Sequence, residues 1–251
     1  MRRAWWRAAA TLLTAACIDL STDPDEIVAI EFDDLPWPSV VAGDTLRDAS
    51  GAVAPLIARL FNGDGDEVTG SVEFLTQQGF VQVVGNGFLV ADDTASGTAD
   101  IIASTSGIQS VPSQIEVVAA PDSMVADGLI VPLAWVVPDN PSANTSQPLS
   151  VRVLSAPDTG VRSWIVTFQL EADGVQIPPS DTTRIFLVGE AGRPSYADTT
   201  DDSGRAARRV RLRVAPGFIP PDSAVVTVSA SYKGAPLKGS PVRLVLPLRP
   251  G

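Results

Sequence analysis

The sequence predicts an all-β protein made of two consecutive β-sandwiches that follow a short N-terminal signal segment. From residue 27 onward, short runs of alternating apolar and polar residues recur, and Gly, Asp and Pro residues separate them. Such spacing is typical of sandwiches and barrels. Hydrophobic residues make up 45% of the chain, which is enough for packed cores. Beyond residue 16 the sequence shows no long amphipathic helix.

The first sandwich is predicted over residues 27–119. Its strands are expected at 27–32, 52–61, 68–75, 80–84, 87–91, 99–104 and 108–118. The connections contain Asn-Gly, Asp-Gly and Ser-Gly pairs, and both Gly and Asn adopt the positive φ of tight turns at low cost. Residues 120–127 are predicted to be a linker to the second sandwich.

The second sandwich is predicted over residues 128–250. Two runs alternate so regularly that each indicates a strand with one buried face. The residues predicted to be buried are Trp164, Val166, Phe168 and Leu170 in one run, and Ala224, Val226, Val228, Ala230 and Tyr232 in the other. A third run sets Val210, Leu212 and Val214 against Arg209, Arg211 and Arg213 on the opposite face.

Several sequence motifs resemble those of a known group of domains. The first half contains, in order, IVAIEF, VVAGDTLRDASGAVA, NGDGDEVTG, NGFLVADDTASGTADIIASTSG and SQIEVVAA. This order resembles the bacterial Ig-like repeats of surface and secreted proteins. The second half contains SYADTTDDSGRAARRVRL and AVVTVSASYKGAPLKGSPVRL, which resemble the turn and closing strands of invasin-type Ig-like domains. The resemblance implies two Ig-like β-sandwiches with a spacer or adhesive role, and it implies no active site.

The N-terminus resembles the signal peptide of a bacterial lipoprotein. Three arginines precede an apolar segment at 8–16 that is too short to span a bilayer. The sequence Thr14-Ala15-Ala16-Cys17 resembles a lipobox, except that Thr14 stands where Leu is preferred. Residues 1–16 are therefore predicted to be a signal peptide, Cys17 to carry the lipid, and residues 17–26 to form an acidic tether. A buried thiol or a plain secretory signal is the alternative interpretation of Cys17.

The predicted location of the protein follows from this N-terminus. Lipid on Cys17 would anchor an exported protein in a membrane of the cell envelope. In the lipoproteins that the signal resembles, Asp after the lipidated Cys favours retention in the inner membrane. Ile18 occupies that position here, so the outer membrane or the cell surface is the predicted location.

The composition excludes several kinds of chemistry. The chain has no His and one Cys, so it lacks Ser-His and Cys-His nucleophile pairs, an intramolecular disulfide and multi-Cys zinc sites. No cofactor is predicted. Residues 17–120 hold 17 acidic and two basic residues, whereas residues 121–251 hold 12 acidic and 13 basic residues. An acidic surface repels phosphate backbones, so the predicted partners do not include nucleic acid.

Two acidic turns are candidate metal sites. Asn62, Asp64, Asp66 and Glu73 match the first, third, fifth and twelfth positions of an EF-hand loop, but Glu67 occupies the sixth, which requires Gly. A turn between two strands is therefore the preferred interpretation. The second candidate contains Asp198, Asp201 and Asp202, and a plain turn is preferred there too.

Four residues are candidates for a contact surface. Arg209, Arg211 and Arg213 repeat at every second position, so they are expected about 7 Å apart on one face of a strand. This face is either solvated, where it resists edge pairing, or a docking surface for the first sandwich or an anionic glycan. Trp37 lies between two prolines, which excludes a regular central strand. It is predicted to be an exposed contact or a lid on the sandwich.

These observations predict a non-enzymatic lipoprotein of the cell envelope that acts as a spacer, adhesion or protein-contact module. Its partner is expected to be a protein or a glycan of unknown identity. The alternative is a module that binds a glycan or calcium at the cell surface. An enzyme that uses carboxylates alone is a third interpretation, and it requires two acids about 5 to 10 Å apart in a cleft.

Overall fold

The computed structural model describes residues 26–251, and every regular element in that range is a β-strand. The all-β sandwich fold predicted from the sequence is confirmed. Within residues 26–251 there is no helix with the length and apolar character needed to cross a membrane. The predicted signal peptide, Cys17 and the tether up to residue 25 lie outside the described residues.

Ten strands form the first sandwich. They are β1 (Ile27–Phe32), β2 (Ser39–Val41), β3 (Ala58–Asn62), β4 (Glu67–Val68), β5 (Glu73–Thr76), β6 (Val81–Val84), β7 (Phe88–Ala91), β8 (Gly97–Thr105), β9 (Ile108–Gln109) and β10 (Ser113–Val118). One sheet has the order β1-β3-β4 and another has the order β2-β10-β8-β5, with β9 paired to the end of β8. Strands β6 and β7 form a separate hairpin. Strand β2 runs parallel to β10, and the other pairs are antiparallel.

The core of the first sandwich follows from alternation along β8. Ala99, Ile101 and Ala103 are fully buried, whereas the residues between them are partly exposed, as the sequence predicts. Ile101 belongs to a cluster that includes Ile115 of β10 and Leu89 of β7. The hairpin therefore covers the inner face of the larger sheet.

Thirteen strands form the second sandwich. They are β11 (Ser123–Ala126), β12 (Leu133–Trp135), β13 (Leu149–Ser155), β14 (Thr159–Gly160), β15 (Ile165–Ala172), β16 (Val175–Ile177), β17 (Ile185–Val188), β18 (Ala197–Thr199), β19 (Arg205–Leu212), β20 (Ser223–Ser229), β21 (Ser231–Tyr232), β22 (Ala235–Pro236) and β23 (Val242–Pro250). The two main sheets have the orders β11-β13-β19-β17 and β12-β23-β20-β15-β16. Strand β12 runs parallel to β23.

The core of the second sandwich matches the predicted alternation. Trp164 and the inward residues of β15 are buried, and so are those of β20. Phe168 of β15 pairs with Val228 of β20, and Leu170 pairs with Val226. These large side chains lie on the inner face of the six-stranded sheet, in which β18 also pairs with β15, and pack in one cluster with residues of the opposite sheet.

The predicted linker at 120–127 is wrong. Strand β11 lies inside it and pairs with β13, and Met124 of β11 is buried in the second core. The strand has only four residues and follows Pro121 and Asp122, so its sequence is typical of a loop.

The predicted strand at 52–61 is too long. Strand β3 begins at Ala58, and the preceding segment forms an isolated bridge at Val53 and separate backbone hydrogen bonds at Ala54 and Leu56 rather than a strand. Pro55 lacks an amide hydrogen and interrupts regular pairing there. The run predicted at 68–75 is likewise divided between β4 and β5.

Candidate functional site

A row of three aromatic rings joins the two sandwiches. Trp37 lies in a bend before β2, and its ring centroid is 5.5 Å from that of Trp164 in an edge-to-face arrangement. Trp164 is in turn 5.8 Å from Tyr232. Trp37 packs against the core clusters of both sandwiches. Trp37 therefore fills the space between the two sandwiches, and its side chain is called the aromatic plug. This position agrees with the prediction that Trp37 covers a sandwich core and not with an exposed contact. We call the contact region between the sandwiches around Trp37, Trp164 and Tyr232 the seam.

A carboxylate of the first sandwich is the polar centre of the seam. Asp44 accepts hydrogen bonds from Tyr232 Oη at 2.7 Å and from Arg47 Nε at 2.8 Å, both through Oδ2. Arg47 Nη2 also donates to Oδ1 at 2.9 Å, which makes the arginine contact bidentate. Lys233 Nζ lies 3.4 Å from Oδ2. Tyr232 and Lys233 belong to the second sandwich, so these interactions span the seam.

These contacts shift the pKa of two groups in opposite directions. Burial disfavours the charged form of Asp44, but the hydrogen bonds from Arg47 and Tyr232 outweigh it and hold the pKa well below its usual range. Burial and the hydrogen bond to Asp44 both raise the pKa of Tyr232. The carboxylate and the neutral phenol therefore persist together over a wide range of pH.

Two tight turns meet backbone to backbone beside Asp44. Gly51 has a φ of +86°, and a β-carbon at this position would lie 2.0 Å from the backbone nitrogen of Gly234. Arg47 Nη1 donates to the carbonyl of Gly51 at 2.9 Å, which connects this turn to the Asp44 interactions. Only glycine fits at position 51 without displacing the turn of the second sandwich.

Further contacts extend the seam on both sides. Ser39 Oγ donates to the carbonyl of Ser163 at 2.8 Å, and Arg162 forms an ion pair with Glu116 at 2.5 Å. Val41 and Val118 of the first sandwich are buried within the core cluster of the second. The cavity beside Asp44, lined on its two sides by residues such as Trp37 and Tyr232, measures about 20 Å³. That is room for about one water molecule, so the two surfaces fit closely.

The predicted arginine face is divided by burial. Arg211 is 7% exposed, and its guanidinium pairs with Asp139 at 2.5 Å. Arg209 is half-buried, whereas Arg213 is exposed and lies 4.9 Å from the ring centroid of Phe186. The expectation of a solvated face is wrong at Arg211, so the three arginines do not form one continuous contact surface.

The physical reason is the position of β19. This strand is central in its sheet, and a segment before β13 also pairs with it through a bridge between Thr145 and Arg211. Within that segment Asn144 is fully buried and donates to Asp139 at 2.8 Å. The hydrogen bonds from Arg211 and then Asn144 lower the pKa of Asp139 to about 2. Arg211 thus holds a loop in place.

The first candidate metal site is a β-hairpin turn. Asn62 ends β3 and is 7% exposed, and its side-chain oxygen accepts the amide hydrogens of Asp64 at 3.1 Å and Asp66 at 2.9 Å. The Asp64 and Asp66 side chains point to solvent, and Glu73 lies in β5. The segment therefore forms a turn between two strands, and calcium binding there stays a prediction.

The second candidate consists of carboxylates with separate roles. Asp198 accepts the amide hydrogen of Ala207 at 2.7 Å and pairs with Arg208 at 2.8 Å. Asp201 closes its own turn, and hydrogen bonds from Ser203 lower its pKa. The Asp202 side chain is 95% exposed. Across residues 26–251, no group of three or more His, Cys, Asp or Glu side chains is arranged to hold a metal ion.

Sequence reasoning missed the residues that form the polar centre of the seam. Asp44 and Tyr232 are 188 positions apart, and no local pattern connects them. Asp44 looks like an ordinary turn residue in its own segment, and Tyr232 is predicted only as an inward-facing residue of a strand. The available signal was the aromatic and basic content of the 231–234 turn, which is unusual for a plain hairpin connection.

Comparison with known proteins gives matches among solved structures alone. No protein-family model matches the sequence, and neither does a curated protein. The chain is similar to the Yersinia pseudotuberculosis adhesin InvE, with 16% identity and a TM-score of 0.36 over 83% of this chain and 56% of that one. It thus spans about half the length of the InvE structure.

Two further solved structures are similar over most of the chain. Domains 5–6 of the S-layer protein SbsC match with 16% identity and a TM-score of 0.30, covering 90% of this chain and 98% of that one. The D0-D1 domain of intimin matches with 14% identity and a TM-score of 0.27, covering 88% and 96%. At these TM-scores the likeness gives no information about function.

Proposed function

We propose that the protein is a non-enzymatic lipoprotein of the cell envelope whose two sandwiches form one rigid spacer and protein-contact module. The seam is the observation that carries the proposal. Domains joined by a flexible linker move relative to one another unless their interface is large and apolar. Here Trp37 packs against both cores, Val41 and Val118 of the first sandwich are buried in the core of the second, and the Asp44 interactions lie beside them. Such a body holds a contact surface at a fixed distance from its anchor.

A position outside the cell agrees with the charge of the chain. The acidic excess of residues 17–120 favours a well-solvated surface that does not adhere to anionic lipid. The similar solved structures are an adhesin, intimin and a surface-layer protein by name. We propose the spacer or adhesive role from the seam and the charge, not from those names.

The state of the carboxyl groups supports a non-enzymatic role. General acid catalysis by a carboxyl group needs a raised pKa. The pKa values of Asp44 and Asp139 are instead lowered, because hydrogen bonds from arginine stabilise both carboxylates. These acids are held as carboxylates by arginines and turn hydrogen bonds. Together with the lack of His, this makes the carboxylate-enzyme interpretation unfavourable.

Lipid attachment at Cys17 is tested by mass spectrometry of the protein extracted from membranes. We expect a diacylglyceryl group on Cys17, and we expect Cys17→Ala to release a folded protein into the soluble fraction. Thr14→Leu restores the preferred lipobox residue and should increase the lipidated fraction. An unlipidated mature N-terminus on the membrane-extracted protein would contradict the anchor.

Rigidity is tested by distance measurement between spin labels on the two sandwiches. Asp64→Cys and Val175→Cys place labels on exposed sites, in a Cys17→Ala background that leaves no other thiol. We expect a single narrow distance distribution, which broadens when Trp37→Ala is added. A broad distribution in the background protein would contradict the rigid module and leave the anchor untouched.

Calcium and glycan binding stay predictions from the sequence. The candidate calcium turns contain Asp64 with Asp66 and Asp201 with Asp202, and calorimetric titration with Ca²⁺ tests both at once. A glycan array tests the alternative partner class. Exposed Arg213 is the member of the arginine group to substitute in that experiment, because Arg211 is buried and paired with Asp139.

A further inference from the structure

A groove of about 650 Å³ runs along the first sandwich beside the seam. One wall is formed by residues 30–35 at the end of β1 and after it, and the other by residues 111–114 at the start of β10. Ile165 and Thr199 of the second sandwich close one side. The volume of the groove lies within the range of about 300–1,000 Å³ that is usual for binding clefts.

The first wall is an open strand edge. Strand β1 pairs with β3 and is the terminal strand of its sheet. The amide of Asp33 donates to the carbonyl of Ile57 at 3.0 Å, on the β3 side. Because backbone groups alternate along a strand, those of Ile30 and Phe32 point away from β3. Both residues line the groove.

The second wall is also an open edge. Strand β2 pairs with β10 only at residues 116–118, so the start of β10 has no strand on that side within the described part of the chain. The amide of Glu116 donates to the carbonyl of Pro38 at 3.2 Å, toward β2. The amide of Asp100, opposite Gln114, donates to the Gln78 side chain rather than to β10. By alternation, the N–H and C=O of Gln114 point toward the groove.

The walls differ in chemistry along their length. Glu31, Asp33 and Asp34 give the β1 wall three carboxylates, and Arg59 pairs with Asp33 at 2.8 Å and with Glu31 at 3.5 Å. Asp34 has no ion pair among residues 26–251. The opposite wall is apolar at its rim, where Val111 is 83% exposed.

We propose that this groove binds an extended peptide segment with alternating basic and apolar side chains, which adds as a strand against the open edges of β1 and β10. The inference rests on the proposed function and names the contact site of that module. Unpaired backbone groups on both walls can form hydrogen bonds with the backbone of any extended peptide, whatever its sequence. The carboxylates then favour peptides with basic side chains. The partner is a protein that presents such a segment.

A second copy of this chain fits the groove poorly. The chain carries a net charge of −11, and the acidic first sandwich would meet the acidic wall of its partner. The most basic segment of the chain lies in β19, which is paired on both sides and unavailable for strand addition. A separate protein with a basic segment is therefore the occupant that the charges favour.

The first test uses synthetic peptides and the intact protein. A fluorescent heptapeptide of alternating Lys and Val is titrated, and its anisotropy is followed. We expect saturable binding at one site per chain. A peptide with N-methylated backbone amides loses the hydrogen bonds of strand addition and should bind at least about tenfold more weakly. A Glu-Val peptide should show no binding.

The second test uses matched variants of the protein. Asp34→Lys reverses the charge on the wall and should weaken binding of the Lys-Val peptide about threefold to tenfold. Asp64→Lys makes the same charge change on an exposed turn outside the groove, so it should have little effect. Gln114→Pro removes the groove-facing amide hydrogen while the pairing of β10 with β8 needs no donor there. It should weaken binding about fivefold.

The outcomes separate strand addition from its alternatives. Equal binding of the N-methylated peptide, or equal effects of Asp34→Lys and Asp64→Lys, would show diffuse charge attraction and overturn the proposal. A dimer in sedimentation that the peptide dissociates would make a second copy the occupant and also overturn it. Failure of all peptides to bind up to millimolar concentration rejects the groove. None of these results depends on lipidation or on the spin-label distances, so the proposed function is judged separately.

Discussion

The two sandwiches share a fold class but obtain their stability differently. The core cluster of the second sandwich contains 27 buried apolar residues, whereas that of the first contains ten. Two of the 27, Val41 and Val118, are contributed by the first sandwich. The first sandwich also holds most of the acidic excess, which opposes its own compaction. The difference indicates that the first sandwich is stabilised by docking on the second, and the seam is the place where that support acts.

The largest expected effect comes from the core of the second sandwich. Phe168 is 1% exposed, so Phe168→Ala should lower the free energy of unfolding by about 3–5 kcal/mol. If the first sandwich depends on the second, both should lose protection together in hydrogen exchange. Val175→Ala changes an exposed residue and serves as the control, with an effect within about 0.5 kcal/mol. Retained protection at Ile101 in the Phe168 variant would contradict the dependence.

The next largest effect is expected at the aromatic plug. Trp37→Ala removes the ring that touches both cores and should cost about 2 kcal/mol, less than a fully buried tryptophan. Differential scanning calorimetry should then resolve two transitions, with the first sandwich unfolding at the lower temperature. Trp135→Ala removes a ring of the same size that packs on the second core alone. That control should lower stability while keeping one transition.

A smaller effect is expected where the two turns meet. Gly51→Ala places a β-carbon against the backbone of Gly234 at a positive φ, and it should cost about 1–3 kcal/mol. Gly63→Ala is the matched control, because no atom lies within 4 Å of its β-carbon. Denaturant midpoints of both variants measure the difference. Equal midpoints would mean that the turns separate without affecting stability.

The smallest effect is expected from one hydrogen bond across the seam. Tyr232→Phe removes the donor to Asp44 and should cost about 1 kcal/mol. The lowered pKa of Asp44 means that its contribution is complete above about pH 4 and is lost as the pH falls below that value. The raised pKa of Tyr232 means that its contribution is complete below about pH 10 and is lost as the pH rises further.

The stability difference between Tyr232→Phe and the unsubstituted protein should therefore be constant from about pH 5 to about pH 9. Chemical denaturation at several pH values within that range measures it. A difference that changes with pH near neutrality would show that another titrating group controls the seam.

The sequence was sufficient to predict a strand wherever that strand is long enough to show the alternation of apolar and polar residues by itself. The alternation around Phe168 and Val226 predicts two central strands correctly, because a strand with one buried face has a period of two. Short strands gave no such signal. Strand β2 has three residues and β11 has four, and turn-forming residues flank both.

The seam could not be predicted from one sequence. Ser39 meets Ser163 across 124 positions, and Asp44 meets Tyr232 across 188. Neither contact follows from a local pattern, since each depends on how the two sandwiches dock. The prediction of a solvated face was wrong at Arg211 for a related reason. Period-two spacing determines the face of the strand on which a side chain lies, but it does not show whether another segment covers that face.

The two parallel strand pairs have a consequence under mechanical load. In the sequence, β2 is near the start of the first sandwich and β10 is at its end. In the second sandwich β12 is near the start and β23 is at the end. Tension between the chain ends pulls each parallel pair in opposite directions along its length. Its hydrogen bonds are then strained simultaneously rather than opened one after another. Each sandwich thus contains one short strand pair that is loaded in shear, and we expect stretching of single molecules from both ends to show a separate rupture event for each sandwich.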